Sequence, residues 1–135
     1  MKIDLGEKDP RQLVAGLKQH YKPEELKGKK LIVISNLEPA VLRGEKSEGM
    51  LLAAGEKEVG VLYAEKSANG SLVFTERTKQ AVSEKDGKEL KKVSIDSFQK
   101  ITIEAKVGMG WFDGEELKTE QETVKVDKKA DGKVR

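Results

Sequence analysis

The stretch that decides the fold is NLEPAVLRGEKSEGMLLAA, residues 36–54. An apolar run, LIVIS, precedes it at residues 31–35, and the stretch itself ends in a second apolar run, MLLAA. Short apolar runs bounded by turn residues are typical of buried strands. The polar loop between the two runs carries a proline, an arginine, two glycines and a serine. Because binding residues are often held on loops by a rigid scaffold, we expect the function to lie in this loop.

The composition indicates one small domain, or one domain with an appended subdomain. The chain has 135 residues, of which 37% are charged and 36% hydrophobic. At this length roughly two-thirds of the unfolded chain's surface should be buried on folding. Aromatic residues make up only 4%, so valine, leucine and isoleucine must fill most of the core.

Several classes of site are excluded or disfavoured by residue content. The chain has no cysteine and a single histidine, His20, so thiolate sites are excluded and no metal or cofactor site is expected. The N-terminal residues lack the apolar segment of a signal peptide, and no apolar run approaches the roughly 20 residues that span a bilayer. These features predict a cytoplasmic protein. The formal charge is only +2, so a nucleic-acid site would require local clustering of basic residues.

Short alternating or apolar runs recur through the first half of the chain. They predict strands at residues 1–5, 11–17, 31–35, 50–54, 59–64 and 72–75. The first two are expected to form a hairpin, and the third, continuously apolar over LIVI, to be covered on both faces. The segment YKPEEL at residues 21–26 predicts one or two helical turns. Short strands with turns between them indicate a small barrel rather than a parallel sheet.

The second half begins with a polar segment, residues 76–92, which predicts a linker or a loosely held loop with a turn at Asp86-Gly87. Period-two alternation then predicts strands through Val93, Ile95, Ile101, Ile103 and Ala105. A Trp111-Phe112-Asp113-Gly114 turn and a strand over residues 123–126 follow, and the polar tail 127–135 is expected to fray. The predicted division is a barrel at 1–75, a linker at 76–92 and a small β extension at 93–135.

A family resemblance is carried by ordered blocks of residues. In the central stretch they are Asn36-Leu37, Pro39, Leu42-Arg43-Gly44 and Ser47-x-Gly49-Met50-Leu51. Upstream they are Asp4-Leu5-Gly6, Arg11-Gln12, Ala15-Gly16-Leu17 and Tyr21-Lys22-Pro23-Glu24-Glu25-Leu26. Together these blocks resemble the tRNA-binding domain that is appended to methionyl-tRNA synthetases and occurs in the endothelial-monocyte-activating polypeptide. The resemblance implies an all-β fold, an oligonucleotide/oligosaccharide-binding (OB) β-barrel with a C-terminal β extension.

One departure from the family pattern leaves three interpretations open. The family domain begins further upstream, with a segment resembling F-x-K-x-x-L-x-V-G and one or two barrel strands. The chain is then a fragment of a longer synthetase, or a circular permutation in which residues 94–108 supply the strand and pair with residues 1–5. In the third interpretation, residues 92–135 resemble the small β-domain that imitates a dimer interface in the endothelial-monocyte-activating polypeptide.

The resemblance also implies a set of RNA-binding residues. They are Asn36, Arg43, Ser47, Glu48, Gly49, Met50, Lys29 and Lys30. A guanidinium, a hydroxyl and backbone N–H groups in one loop suit contact with phosphate, sugar or base edges. Each also has a structural alternative, such as a loop cap for Asn36, an ion pair for Arg43, barrel packing for Met50 and a solvated face for the lysines. Trp111 and Phe112 could stack on a base, but core packing is the favoured interpretation.

The expected function is therefore non-catalytic. The chain is predicted to bind tRNA as an appendage of a methionyl-tRNA synthetase, with tRNA and a synthetase catalytic domain as partners. The alternative is a protein-interaction module that forms a homodimer or imitates one, and a chaperone-like or signalling role is a third possibility. No Ser-His-Asp arrangement can be argued from one histidine, and no membrane partner is expected.

Overall fold

The computed structural model describes residues 2–17, 19–42, 44–55, 58–84 and 91–134. Arg43 and the predicted Asp86-Gly87 turn lie outside these residues. In chain order the strands are β1 (Lys2–Ile3), β2 (Arg11–Gln12), β3 (Val33–Ile34), β4 (Ala40–Leu42), β5 (Glu45–Ser47), β6 (Met50–Leu51), β7 (Ala53–Ala54), β8 (Gly60–Tyr63), β9 (Ile103–Lys106), β10 (Met109–Phe112), β11 (Glu115–Glu116), β12 (Lys125–Val126) and β13 (Gly132–Lys133). The helices are α1 (Pro23–Leu26), α2 (Lys79–Glu84) and α3 (Ile95–Gln99), with a 3₁₀ turn at Asp127–Lys129.

The largest sheet curls into a nearly closed barrel. Its strand order is β13-β9-β10-β12-β8-β7, and β11 pairs with β10. Ala54 at the end of β7 bridges Val134, which directly follows β13, so the two edges of the sheet meet. The architecture is thus all-β and of the OB-barrel type, as predicted. None of the helices in the described ranges is long and apolar enough to cross a membrane.

Smaller two-stranded sheets join β1 to β2, β3 to β6 and β4 to β5. The predicted N-terminal hairpin is confirmed but is short, with Ile3 paired to Arg11. A circular permutation required residues 1–5 to pair with the strand near residue 103. Instead β1 pairs with β2, and β9 lies between β10 and β13.

Two apolar clusters share the LIVI strand. Ile32 and Ile34 pack into the larger cluster inside the barrel, with Leu52, Leu62 and Val124. Leu31 and Val33 pack into the smaller cluster around Leu13, Leu17, Tyr21, Leu51 and Val61. Because successive strand residues face opposite sides, this strand is covered on both faces, as its continuous apolar sequence predicts.

Two tight turns shape the barrel's second half. Val107 and Gly108 have φ of 53° and 74°, and Asp113 and Gly114 have φ of 51° and 79°. Positive φ at both central residues is the mark of a two-residue hairpin turn whose twist matches its strands. These turns connect β9 to β10 and β10 to β11. The turn predicted over residues 111–114 is confined to Asp113 and Gly114, because Trp111 and Phe112 lie in β10, with Phe112 packed against the core.

The predicted strand through Ile95 is wrong. Residues 95–99 form α3, because the Ser94 hydroxyl accepts a hydrogen bond from the Ser97 amide at 3.1 Å and caps the helix. Ile95 and Ile101 are each 43% exposed, so neither belongs to a buried strand face. The alternation holds only further on, where Ile103 and Ala105 in β9 are buried.

The tail is also not frayed as predicted. Residues 127–129 form a 3₁₀ turn and β13 pairs with β9, while Ala130 and Val134 are buried in the barrel core. The energy of burying these two residues and pairing β13 outweighs the polar character of the residues between them.

Two further segments differ from the predictions. In place of a strand at residues 72–75 there is a single bridge between Phe74 and Lys118. Within the segment predicted as a linker, residues 79–84 form α2. The division into barrel, linker and extension stays a prediction, and the larger core cluster takes members from both outer parts, such as Leu37 and Phe98.

Candidate nucleic-acid interface

The loop between the two apolar runs is built as a projecting hairpin, called here the arm and defined by β4 and β5. The strands pair antiparallel, from Ala40 opposite Ser47 to Leu42 opposite Glu45. Gly44 takes a φ of 79°, which suits its place in the turn at the tip. Val41 is 72% exposed and lies opposite the exposed Lys46. The arm therefore presents an apolar side chain and a cation next to each other to solvent.

The start of the arm is held by Asn36. Its Nδ2 donates to the carbonyl of Lys91 at 3.0 Å, and its own carbonyl accepts from the amide of Val93 at 2.8 Å. The amide of Glu38 donates to the carbonyl of Val93 at 2.7 Å. The side-chain amide thus caps the loop, one of the two roles considered for it, and fastens the arm to the segment before α3.

The end of the arm is held by Ser47. This residue is 4% exposed, and its hydroxyl accepts from the Val14 amide at 2.9 Å and donates to the Gly49 carbonyl at 3.0 Å. One residue on, the half-buried Glu48 donates its amide to the carbonyl of Gln12 at 2.9 Å. The predicted contact residue Ser47 therefore has its hydroxyl engaged inside the protein.

Gly49 and Met50 pack the end of the arm against the barrel. A Cβ added at Gly49 would lie 3.0 Å from the carbonyl oxygen of Ile34 and 3.3 Å from Cγ1 of Val33. Met50 is half-buried, pairs with Ile34 and packs against the larger core cluster. These two residues fit closely against β3, which is the structural alternative considered for Met50.

The two predicted lysines both have partners inside the protein. Lys29 Nζ lies 3.3 Å from Asp127 Oδ2 and 4.6 Å from the centroid of the Tyr63 ring. Lys30 Nζ donates to Asn69 Oδ1 at 2.7 Å, and Asn69 Nδ2 donates to Asp4 Oδ2 at 3.1 Å. The backbone hydrogen bond from Gly6, together with that from Asn69, holds the pKa of the Asp4 carboxyl below its ordinary value.

A groove of about 1020 Å³ brings part of the predicted set together. Lys29, Lys30 and Asn36 all line it, along with the exposed Lys27 and the apolar residues of the LIVI strand. Residues 47–50 lie at the base of the arm and do not line this groove. The structure thus divides the predicted residues between a lysine-lined groove and the arm's base, with Arg43 outside the described residues.

Arg11 lies outside the predicted loop but contacts both of its ends. Its guanidinium donates to the carbonyl oxygens of Ser35 and Glu48, which flank the arm on its two sides. The signal that could have identified it is the Arg11-Gln12 block, which belongs to the family resemblance but lies far upstream of the loop.

The described residues contain no group of three or more histidine, cysteine, aspartate or glutamate side chains that could hold a metal ion. What the arm and groove offer is hydrogen bonding, positive charge and a shaped surface. These are the means by which proteins hold a nucleic-acid backbone.

Comparison with known proteins places these features in a family. The model of the family described as "Putative tRNA binding domain" matches residues 1–73, which include β1, β2 and the arm. The methionine–tRNA ligase of Borrelia hermsii is 38% identical over 110 residues, covering 80% of this chain and 15% of that protein. The methionine–tRNA ligase of Thermococcus kodakarensis is 57% identical over 67 residues, covering 49% of this chain and 9% of that protein.

A solved structure has the same fold over nearly the whole chain. The C-terminal domain of Plasmodium vivax p43 superposes with a TM-score of 0.83 and 22% identity, covering 99% of this chain and 82% of that one. The likeness therefore includes the C-terminal strands, which the family model does not reach. Because that model matches more than half of the chain, the protein belongs to the tRNA-binding domain family.

Proposed function

We propose that this chain is a non-catalytic tRNA-binding module, carried as an appendage of a methionyl-tRNA synthetase. The observation that carries the proposal is the family match over residues 1–73, which spans the arm, its base and the lysines of the groove. The Borrelia hermsii and Thermococcus kodakarensis relatives are both methionine–tRNA ligases many times longer than the matched segment. The same proposal puts the chain in the cytoplasm with the synthetase.

The module would act by tethering. A second RNA-binding site linked to a catalytic domain raises the effective concentration of that domain around the bound tRNA. The chain itself then needs only moderate affinity, which suits a protein with a formal charge of +2. Local cations rather than overall charge would supply the contacts with phosphate.

The predicted residues would have two different roles, direct contact with RNA and support of the arm's shape. We assign direct contact with RNA to Arg43, to the exposed Lys46 of the arm and to the cations that line the groove. Ser47, Gly49 and Met50 would act by fixing the arm's shape, because the Ser47 hydroxyl is buried and Gly49 fits closely against β3. Asn36 would do the same at the arm's other end through its hydrogen bond to Lys91.

The test is a salt series of tRNA binding by the purified chain, using bulk tRNA. Affinity should fall steeply as salt rises, because each neutralised phosphate releases condensed counterions. Arg43→Ala and Lys46→Ala should each weaken binding and reduce the slope of log affinity against log salt by about one. Lys133→Ala, an exposed lysine on β13, is the control. No binding by the wild-type chain at low salt would sink the proposal.

A second candidate, a dimerisation module, is favoured by one observation. Val41 on the arm is 72% exposed, an unusual position for a large apolar side chain. Size-exclusion chromatography with light scattering would separate the candidates. A dimer that Val41→Asp converts to a monomer, without loss of tRNA binding, would assign the arm to assembly.

A further inference from the structure

We propose that Arg11 is a positioning residue for tRNA binding, which clasps the base of the arm so that the arm is held in one orientation. This inference rests on the proposed function. Within the described part of the chain, the hydrogen bonds of Arg11 go to Glu7 and to backbone carbonyls outside the arm's two strands. Its effect on binding would pass through the backbone at the two points where the arm leaves and rejoins the barrel.

The clasp is made by one nitrogen. Arg11 Nη1 donates to the carbonyl oxygen of Ser35, directly before the segment that leads into the arm. The same nitrogen donates to the carbonyl oxygen of Glu48, directly after β5, at 3.1 Å. Both strands of the arm lie between these two carbonyl groups in the chain. A single cation therefore joins the arm's two ends across its base.

The rest of the guanidinium is fixed from the other side by Glu7. Nε donates to Oε1 and Nη2 donates to Oε2, each at 2.7 Å, in a bidentate pair. The hydrogen bond from Arg11 holds the pKa of Glu7 below its ordinary value, so the pair stays charged near neutral pH. The Arg11 side chain is 20% exposed. With all three nitrogens engaged, the guanidinium has little left to offer a phosphate.

The arm's end is held by nearby contacts that depend on the same strand. Gln12, the next residue of β2, accepts from the Glu48 amide at 2.9 Å and donates from Nε2 to the carbonyl of Lys46 at 3.3 Å. Backbone bonds such as these set where the arm's end lies along β2. Arg11 adds a side-chain link from that end to the segment before the arm, because its second carbonyl partner belongs to Ser35.

Lysine could not replace this group. An ammonium is a compact point charge, whereas a guanidinium offers a rigid planar fork. A lysine at position 11 could keep a charge near Glu7 or reach one carbonyl, but not hold Glu7 at two oxygens and both arm ends at once. Arg11→Lys should therefore fold normally and still show a loosened arm.

The experiment compares the wild-type chain with Arg11→Ala, Arg11→Lys and a control, Arg77→Ala. Arg77 is also ion-paired, to Asp113 at 3.2 Å and Glu115 at 3.3 Å, but its side chain is 62% exposed and lies in the turn before α2. Bulk tRNA affinity is measured over a salt series, with thermal unfolding to confirm that each variant is folded. We expect a loss of affinity of roughly 5- to 20-fold for both Arg11 variants, within the range of a lost coupling between sites. Arg77→Ala should bind as the wild type does.

A double-mutant cycle distinguishes positioning from contact. If Arg11 acts by holding the arm, Arg11→Ala and Lys46→Ala should be non-additive in their effect on tRNA affinity, because a misplaced arm gains little from Lys46. If Arg11 contacts RNA independently of the arm, the two losses should add. Unchanged affinity in Arg11→Ala or strict additivity would each overturn the inference.

A readout without RNA separates this inference from the proposed function. In the free protein, amide hydrogen exchange at Glu38 and Glu48, which fix the arm's two ends, should speed up in Arg11→Ala and not in Arg77→Ala. Absence of tRNA binding by the wild-type chain would defeat the proposed function. Unchanged hydrogen exchange at both amides would contradict the positioning role of Arg11, whether or not tRNA binds.

Discussion

The phenol of Tyr21 donates a hydrogen bond to Asp127 Oδ2 at 2.9 Å, joining residues 106 positions apart in the chain. The Tyr21 hydroxyl oxygen also accepts from the buried amide of Val61 at 3.1 Å, and Lys128 Nζ lies 3.8 Å from the centroid of the Tyr21 ring. Burial alone would raise the pKa of Asp127, but the hydrogen bonds from Tyr21 and Lys29 hold it below its ordinary value. This cluster fastens the C-terminal turn to the part of the chain that the family model matches.

Replacing Tyr21 with phenylalanine tests that fastening. Tyr21→Phe leaves the Val61 amide without an acceptor and removes a donor from Asp127, so it should lower the free energy of unfolding by about 1–3 kcal/mol. Urea denaturation measures this. Tyr63→Phe is the matched control, because no hydrogen bond of the Tyr63 hydroxyl is seen within the described part of the chain, and it should change stability by less than about 0.5 kcal/mol. Equal effects of the two variants would contradict the assignment.

The same tyrosine predicts a loss of stability at alkaline pH. Burial raises the pKa of Tyr21 to about 12, whereas a tyrosine in the unfolded chain ionises near pH ~10. The folded state therefore keeps a proton that the unfolded state releases. This contribution to stability is complete below pH ~10 and is lost as pH rises towards the folded pKa, by roughly 1.4 kcal/mol per pH unit. The difference in free energy of unfolding between the wild type and Tyr21→Phe should narrow over this pH range. If the two curves of unfolding free energy against pH stay parallel, the buried Tyr21 proton does not contribute to stability.

Ser47 should matter for stability as well as for the arm. In Ser47→Ala the half-buried amide of Val14 loses its acceptor, which should cost about 1–3 kcal/mol of unfolding free energy. Ser83→Ala on α2 is the control, since Ser83 is exposed and should shift stability by less than about 0.5 kcal/mol. Chemical denaturation of both variants checks this. A neutral Ser47→Ala would mean that the hydroxyl's bonds contribute nothing to the fold.

Gly60 is required by close packing rather than by backbone conformation. A Cβ built there would lie 1.9 Å from the carbonyl oxygen of Asp127 and 3.1 Å from Cβ of Ala130. Gly60→Ala must push the C-terminal turn away and should cost roughly 1–3 kcal/mol or more. Gly16→Ala, with nothing within 4 Å of the added Cβ, is the control and should be neutral or slightly stabilising. Thermal unfolding of the two variants measures this difference. A Gly60→Ala variant as stable as Gly16→Ala would show that the C-terminal turn can move away from residue 60 without loss of stability.

The local pattern was sufficient where neighbouring residues decide the structure. Proline and two acids in YKPEEL predicted the turn of α1, and the segment Trp111-Phe112-Asp113-Gly114 predicted a turn that the structure has at Asp113 and Gly114, because both depend on the φ and ψ preferences of adjacent residues. Local reasoning failed at residues 94–99, where alternation suggested a strand. A single Ser94 cap, worth about 1 kcal/mol, outweighs an alternation that rests on only Val93 and Ile95 in this part of the chain.

The sequence by itself determined that the chain is an all-β barrel of the tRNA-binding domain family, since apolar periodicity and ordered blocks of residues are local properties. It also located the arm as the specialised loop between two buried strands. Only the tertiary structure decided that the polar tail closes the barrel against Ala54, that Ser47 faces inward and that Arg11 joins the arm's two ends. The physical reason is that these outcomes depend on burial and hydrogen bonding between residues far apart in the chain, and no local pattern specifies which distant carbonyl a guanidinium, hydroxyl or strand edge will meet.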